Sequence, residues 1–238
     1  MIRKRFDAYP DAFVFRPLQV VRSQHVTPQL VRVTLGGESI GEISSLAPDD
    51  DVRVQIPERF DDTPLPPTVE LQPYKLVYPE NAPPTVLRAL TIRAFRPEHL
   101  ELDIEIALHG EGILSRWAEQ ARPGQRVTMG GPYGAMLWEG GDDHYYLIGD
   151  ATALPAIARF VESLPPEAVA TAVIEVADAG EEQVWGQPER GSLTTIWLHR
   201  DGRRPGRTSL LEDAIEDLPI PTESTVIFAA GESAQCDV

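Results

Sequence analysis

The spacing of apolar residues changes once along this chain, and that change limits what it can fold into. In the first half, apolar and polar residues alternate in short runs. Leu30-Val-Arg-Val-Thr-Leu ends at Gly36-Gly37, and Val52-Arg-Val-Gln-Ile stops at Pro57. In Leu100–Leu108, Leu102, Ile104 and Ile106 fall on one face and Glu101, Asp103 and Glu105 on the other. A period of two is that of a strand with one buried face. Leu18-Gln-Val-Val-Arg-Ser and Leu90-Thr-Ile-Arg-Ala-Phe read as further strands. Between them, residues 57–85 hold eight prolines and little periodicity, which predicts a loop or an elaborated connection.

After Gly110 the texture shifts. Ser115–Ala121 predicts a short helix with Ser115 near its N-terminus, Gln125–Met129 a strand, Gly130-Gly-Pro-Tyr-Gly a loop and Trp138–Asp143 a linker. From His144 strands and helices alternate. Tyr145–Gly149, Ala172–Val176, Leu193–Leu198 and Thr225–Ala230 are apolar enough for buried parallel strands. Ala153–Leu164, with Pro155 in its first turn, and Leu210–Asp217 are helical. Such alternation implies a parallel sheet with right-handed crossovers. The expected architecture has two domains: an antiparallel β-barrel over 15–140 and a small, doubly wound α/β domain over 141–238.

Charge and cysteine content exclude several classes of function. The net charge of −16 argues against nucleic acid as a partner. Residues 1–22 nevertheless carry a local +3 from Arg3, Lys4, Arg5, Arg16 and Arg22 against Asp7 and Asp11, read first as a solvated tail and second as a basic lip for an anionic ligand. The one cysteine, Cys236, allows no internal disulfide and no cysteine-based metal site, which fits a reducing cytoplasm. No apolar run is long enough for a membrane span, and no secretory signal follows the basic start.

Two segments suggest a nucleotide. Gly149-Asp-Ala-Thr-Ala-Leu-Pro is a small-residue turn opening a helix; its amides can meet phosphate, or its small residues can let helix and strand pack closely. In the barrel half, Gly112, Ser115, Ala118, Gly124, Pro132 and Gly134 recur at a spacing that resembles the phosphate-binding motif of the ferredoxin–NADP reductase superfamily, with Ala118 where a leucine is usual. The competing reading is a barrel-capping helix without a ligand. Arg88-Ala-Leu-Thr91 resembles the superfamily's Arg-x-Tyr-Thr/Ser signature, with Leu90 in place of the flavin-stacking tyrosine. Loss of that stacking is worth about 1 kcal/mol.

A narrower resemblance follows. Leu108-His-Gly-Glu-Gly, Ser115-Arg-Trp-Ala, Gly149–Ile157, Ile174-Glu-Val-Ala-Asp, Trp197-Leu-His-Arg-Asp-Gly and Gly231-Glu232 are similar, in order, to segments of the siderophore-interacting protein family. The resemblance implies FAD, an NAD(P)H donor and ferric siderophores as substrate. It implies that Arg88 meets the flavin diphosphate and that Thr91, flanked by Leu90 and Ile92, lies near flavin N5. His109 and Gly110 would lie by the flavin, and Gly112 and Ser115 by the pyrophosphate; a barrel-end histidine bonded to backbone is the alternative for His109. Thr152, Ala153, Gly231 and Glu232 would line the nicotinamide cleft. Arg200, near Arg203, Arg204 and Arg207, would face a 2′-phosphate, or the loop is merely solvated. The family usually continues beyond Ala234 into a further helix and strand, so the second domain reads as C-terminally shortened. No acid–base triad and no permanent metal site are expected; the flavin carries the redox chemistry.

Overall fold

The computed structural model describes residues 4–8, 14–71, 74–110, 112–138, 144–219 and 224–231. Glu232, Cys236 and most of the 138–143 linker lie outside them. The chain divides into two compact units. One is Phe6–Val26 with Val31–Leu137; the other is Met1–Arg5 with Thr27–Leu30 and Trp138–Val238.

Strands β1 (Lys4–Ala8), β2 (Phe15–Thr27), β3 (Leu30–Gly36), β4 (Asp51–Pro57), β5 (Thr68–Leu71), β6 (Tyr74–Val77), β7 (Thr85–Arg96), β8 (Glu101–Ala107), β9 (Arg126–Gly130) and β10 (Gly134–Trp138) make up the first part of the chain. Six close into a barrel in the order β2-β3-β8-β7-β4-β9. The alternating valines, leucines and isoleucines meet inside it, with Val33, Val52, Val54, Ile92, Leu102 and Ile104 all fully buried. Helix α1 (Ile113–Glu119) adds Trp117, also fully buried, to that core. Closure removes the sheet edges that would otherwise pair with other chains.

Three details differ from the sequence reading. The proline-rich segment contains an antiparallel hairpin, β5–β6, that no strong alternation announced. Residues 4–8 of the basic N-terminal segment form a strand, β1, which pairs with β10. The polar face of β8 is not solvated: Asp103 and Glu105 are 3% and 5% exposed. Arginines of the flanking strands cover them. Arg96 donates to both Asp103 oxygens at 2.9 and 2.6 Å, and Thr34 donates at 2.6 Å. Arg32 donates to Glu105 at 2.8 and 2.5 Å, with Arg93 3.8 Å away. Buried carboxylates persist when such partners satisfy them.

The second unit is a parallel sheet in the order β13-β12-β11-β14, from β11 (His144–Asp150), β12 (Val169–Val176), β13 (Ser192–His199) and β14 (Thr225–Ala230). Helix α2 (Leu154–Glu162) buries Leu154, Ala156, Ile157 and Phe160, and the Phe160 ring meets Phe228 at 4.6 Å between centroids. Helix α3 (Leu210–Glu216) places Leu211 against Tyr146, Ile148 and Val173. The barrel and the doubly wound sheet are those that the change in period implies. Glu181 closes the unit elsewhere: its carboxylate accepts from the Thr27 hydroxyl and, at 2.9 Å, from the Gln29 amide. Glu181→Ala is expected to lower stability by about 2 kcal/mol, measured by denaturant unfolding, because both donors lose a charged acceptor.

Candidate functional site

In the barrel unit the candidate residues come from β7 and from the segment joining β8 to α1. On β7, Arg88 lies opposite Val54 and Thr91 opposite Asp51. Arg88 is exposed, and its side chain makes a local hydrogen bond from Nη1 to the Leu87 carbonyl at 2.9 Å. Leu90 lies opposite Val52 and packs against the barrel core, and Ile92 is fully buried. Where the superfamily carries a ring, this chain therefore has a leucine that contributes to its own core. Thr91 is half-buried, just before a register shift in β7 between Ile92 and Ala94. Bulges of this kind re-aim side chains beside functional sites.

Because β8 runs antiparallel to β7, its carboxyl end climbs back alongside the Arg88 end of β7. His109, Gly110 and Gly112 follow, all exposed. Gly110 and Gly112 hold φ of 75° and 82°, a region that a side chain rarely adopts, and nothing lies within 4 Å of a Cβ built on Gly110. Helix α1 starts at Ile113 rather than at Ser115. Ser115 is fully buried, and its hydroxyl oxygen accepts the His109 amide at 3.3 Å. Its visible work is thus to shape the loop that precedes the helix.

The face of β4 beside Thr91 carries a feature the sequence reading missed. Asp51 pairs with Arg53, and the Arg53 guanidinium lies 5.8 Å from the centre of the Tyr133 ring. Burial pushes the Asp51 carboxyl up, helped by nearby Asp50 and opposed by Arg53. The Asp-Asp-Asp run at 49–51 was the available signal, but charge runs usually mark solvated turns.

In the α/β unit, strand order reverses between β11 and its neighbours, and ligands of open α/β sheets bind outside the carboxyl ends of strands at such a point. Gly149 pairs with Ala230, so the Asp150–Ala153 turn and Gly231 emerge side by side. Asp150 is buried, and its Oδ1 accepts from the Thr152 amide at 2.8 Å and hydroxyl at 2.6 Å. Thr152 is exposed and Ala153 buried. A Cβ on Gly149 would lie 2.5 Å from both the Ala153 Cβ and the Ala230 carbonyl oxygen, so close packing accounts for this glycine. Gly149→Ala is expected to destabilise the protein by about 2 kcal/mol, read as a lower denaturation midpoint.

Arg200 departs from its expected place. It is 5% exposed and lies 3.5 Å from the fully buried Glu175, which also accepts from Thr208 at 2.5 Å. Its Nη1 faces that carboxylate, and little of the side chain reaches solvent. Arg203 donates to the Arg200 carbonyl at 2.9 Å, and Arg203, Arg204 and Arg207 are exposed.

The closed antiparallel barrel followed by a parallel sheet flanked by helices is the two-domain fold of the ferredoxin–NADP reductase-like class. Comparison with known proteins narrows this. Residues 19–136 match the siderophore-interacting FAD-binding domain and residues 142–238 match the siderophore-interacting protein family. The chain belongs to the siderophore-interacting protein family. It is 37% identical to a siderophore utilization protein from T. fusca whose crystal structure superposes with a TM-score of 0.85, covering 98% of this chain and 86% of that one. It is 33% identical to the ferric vibriobactin reductase ViuB of Vibrio cholerae over 92% of this chain and 79% of that protein. It is 27% identical to the NADPH-dependent ferric-chelate reductase of Escherichia coli over 92% and 82%.

The barrel residues fit FAD. Arg88 is an exposed cation, the space beside Gly110 is open, and Thr91 carries a half-buried hydroxyl, a set that suits a diphosphate-bearing cofactor. Among the described residues no cluster of three or more His, Cys, Asp and Glu could hold a metal ion, and no helix is long and apolar enough to cross a membrane.

Proposed function

We propose that this protein is an FAD-dependent reductase that passes electrons from NAD(P)H to ferric siderophores and so releases Fe(II) in the cytoplasm. The observation that carries this reading is the match to ferric reductases over 92% of the chain, with the FAD-binding barrel intact. Bound FAD would take up a hydride from the donor and give up electrons singly, which suits a one-electron acceptor such as Fe(III). Oxygen donors hold Fe(III) more tightly than Fe(II), so reduction loosens the complex. Iron here is substrate.

In this reading the exposed guanidinium of Arg88 holds the flavin diphosphate, and the bidentate geometry of arginine suits that partner. Thr91 would face the flavin, with Leu90 and Ile92 anchoring its strand in the core. Gly110 and Gly112 let the loop approach the flavin, His109 borders it, and Ser115 holds the loop by accepting the His109 amide. The Asp150-ordered turn would offer Thr152, beside Gly231, to the nicotinamide. The 2′-phosphate contact passes from Arg200 to its exposed neighbours. Arg200→Ala is accordingly expected to lower stability and leave donor preference unchanged. Joint replacement of Arg204 and Arg207 by alanine is expected to cut any preference for NADPH over NADH by roughly tenfold.

Steady-state oxidation of NADH and NADPH, with ferric siderophore present and Fe(II) trapped by a ferrous-specific chelator, tests the function. Iron-dependent turnover is expected. Donor oxidation that only a quinone or a protein acceptor supports would instead make it a flavin reductase of another pathway, and FAD binding without any turnover would make it a binding protein.

A further inference from the structure

Oxidising one hydride equivalent with ferric iron follows NAD(P)H + 2 Fe(III) → NAD(P)⁺ + 2 Fe(II) + H⁺. Two electrons go to two iron centres, and one proton must leave the flavin side each time. On the proposed function, and only on it, the chain needs a group near Thr91 that takes that proton.

The geometry points to Asp51 as that group: a positioning residue that accepts the proton through the Thr91 hydroxyl and returns it to solvent. The β4–β7 register sets Asp51 directly opposite Thr91. Side chains directly opposite in an antiparallel pair share a face, with Cβ atoms about 5 Å apart. The Asp51 side chain is 42% exposed, so it reaches water as well as the ladder. The strand fixes its position, because the neighbouring Asp50 carbonyl accepts the Ile92 amide at 2.9 Å, and Asp50 itself is held by Ser45, Leu46 and Ala47.

The charged groups around Asp51 suit this work. On its own strand Arg53 pairs with it and favours the carboxylate, while Asp50 opposes it. On β7, Arg93 lies against Glu105, 3.8 Å away. Following β9, Tyr133 lies beneath Arg53. Burial raises the proton affinity of Asp51 above that of an ordinary aspartate. A carboxyl group whose proton affinity is raised, and which also reaches water, suits a transient acceptor.

The test uses the full chain loaded with FAD, with Asp51→Asn and Asp51→His as variants. FAD affinity is measured first; absence of binding in the parent protein sinks the proposed function itself, and this inference with it. Given binding, the midpoint potential of the bound flavin is followed against pH. In the parent protein it should fall more steeply through the acid range, where reduction draws a proton onto Asp51; in Asp51→Asn that extra slope should vanish with FAD affinity unchanged. Reoxidation of the reduced protein by a ferric siderophore should slow roughly tenfold in Asp51→Asn and lose its acid limb. Asp51→His should restore the rate and move the limb toward about pH 6.5, the ordinary histidine range. A potential and a rate whose pH profiles are the same in all three proteins would overturn the assignment while leaving the reductase reading intact.

Discussion

Replacing Arg88 by alanine is expected to weaken FAD binding by roughly ten- to a hundredfold, the equivalent of about 1.5–3 kcal/mol for hydrogen bonds to a charged group. The expectation rests on what Arg88 does not do in the fold. It is exposed, its hydrogen bond is a local one to the preceding carbonyl, and the barrel core beneath is complete without it. Thermal stability of the FAD-free protein should therefore stay close to that of the parent, and the loss should appear in a fluorescence titration with FAD. Arg88→Lys should recover part of the affinity, since an ammonium keeps the charge but not the planar fork. An Arg88→Ala protein that binds FAD as tightly as the parent would move the diphosphate elsewhere.

The second large effect is structural. Asp103→Ala should destabilise the barrel by about 3–5 kcal/mol, because removing one partner leaves the other charges of a buried network uncompensated. Burial alone would raise the Asp103 carboxyl, but hydrogen bonds from Arg96 and Thr34 outweigh it and hold the group below the usual carboxylate range. The sign of the pH effect follows. A carboxyl that is depressed in the folded state contributes stability above its unfolded pKa of about 3.9, and that contribution is lost as pH falls through the lower folded value. The gap in unfolding free energy between parent and variant should thus be full at pH 7 and shrink through the acid range. Urea unfolding across that range measures it; a gap that does not change with pH would mean that Asp103 acts by packing alone.

Much of the fold was legible in the sequence because the period of apolar residues is a direct record of burial. Leu102, Ile104 and Ile106 read as a buried face and are one. The other face misled, since Asp103 and Glu105 look solvated in one dimension and only the barrel brings Arg32, Arg93 and Arg96 over them. The β5–β6 hairpin was hidden because prolines break the pattern by which strands are recognised. At the candidate site, spacing and resemblance singled out Arg88, Gly110 and Gly112, and the structure leaves all three exposed, with the two glycines at positive φ. Arg200 shows the limit of that method: sequence gives its place after a strand, but not that Glu175 waits on the neighbouring one. Asp51 was illegible for a related reason, since its meaning lies in the rung it shares with Thr91, which only register reveals.

The most direct test of the central claim is a single turnover without oxygen. The FAD-loaded protein is reduced, excess donor removed, and a ferric siderophore added while flavin absorbance and trapped Fe(II) are followed together. The account predicts that the oxidised flavin bands return as two Fe(II) appear per flavin. Flavin that stays reduced beside the ferric complex, yet is promptly reoxidised by a quinone, would contradict it.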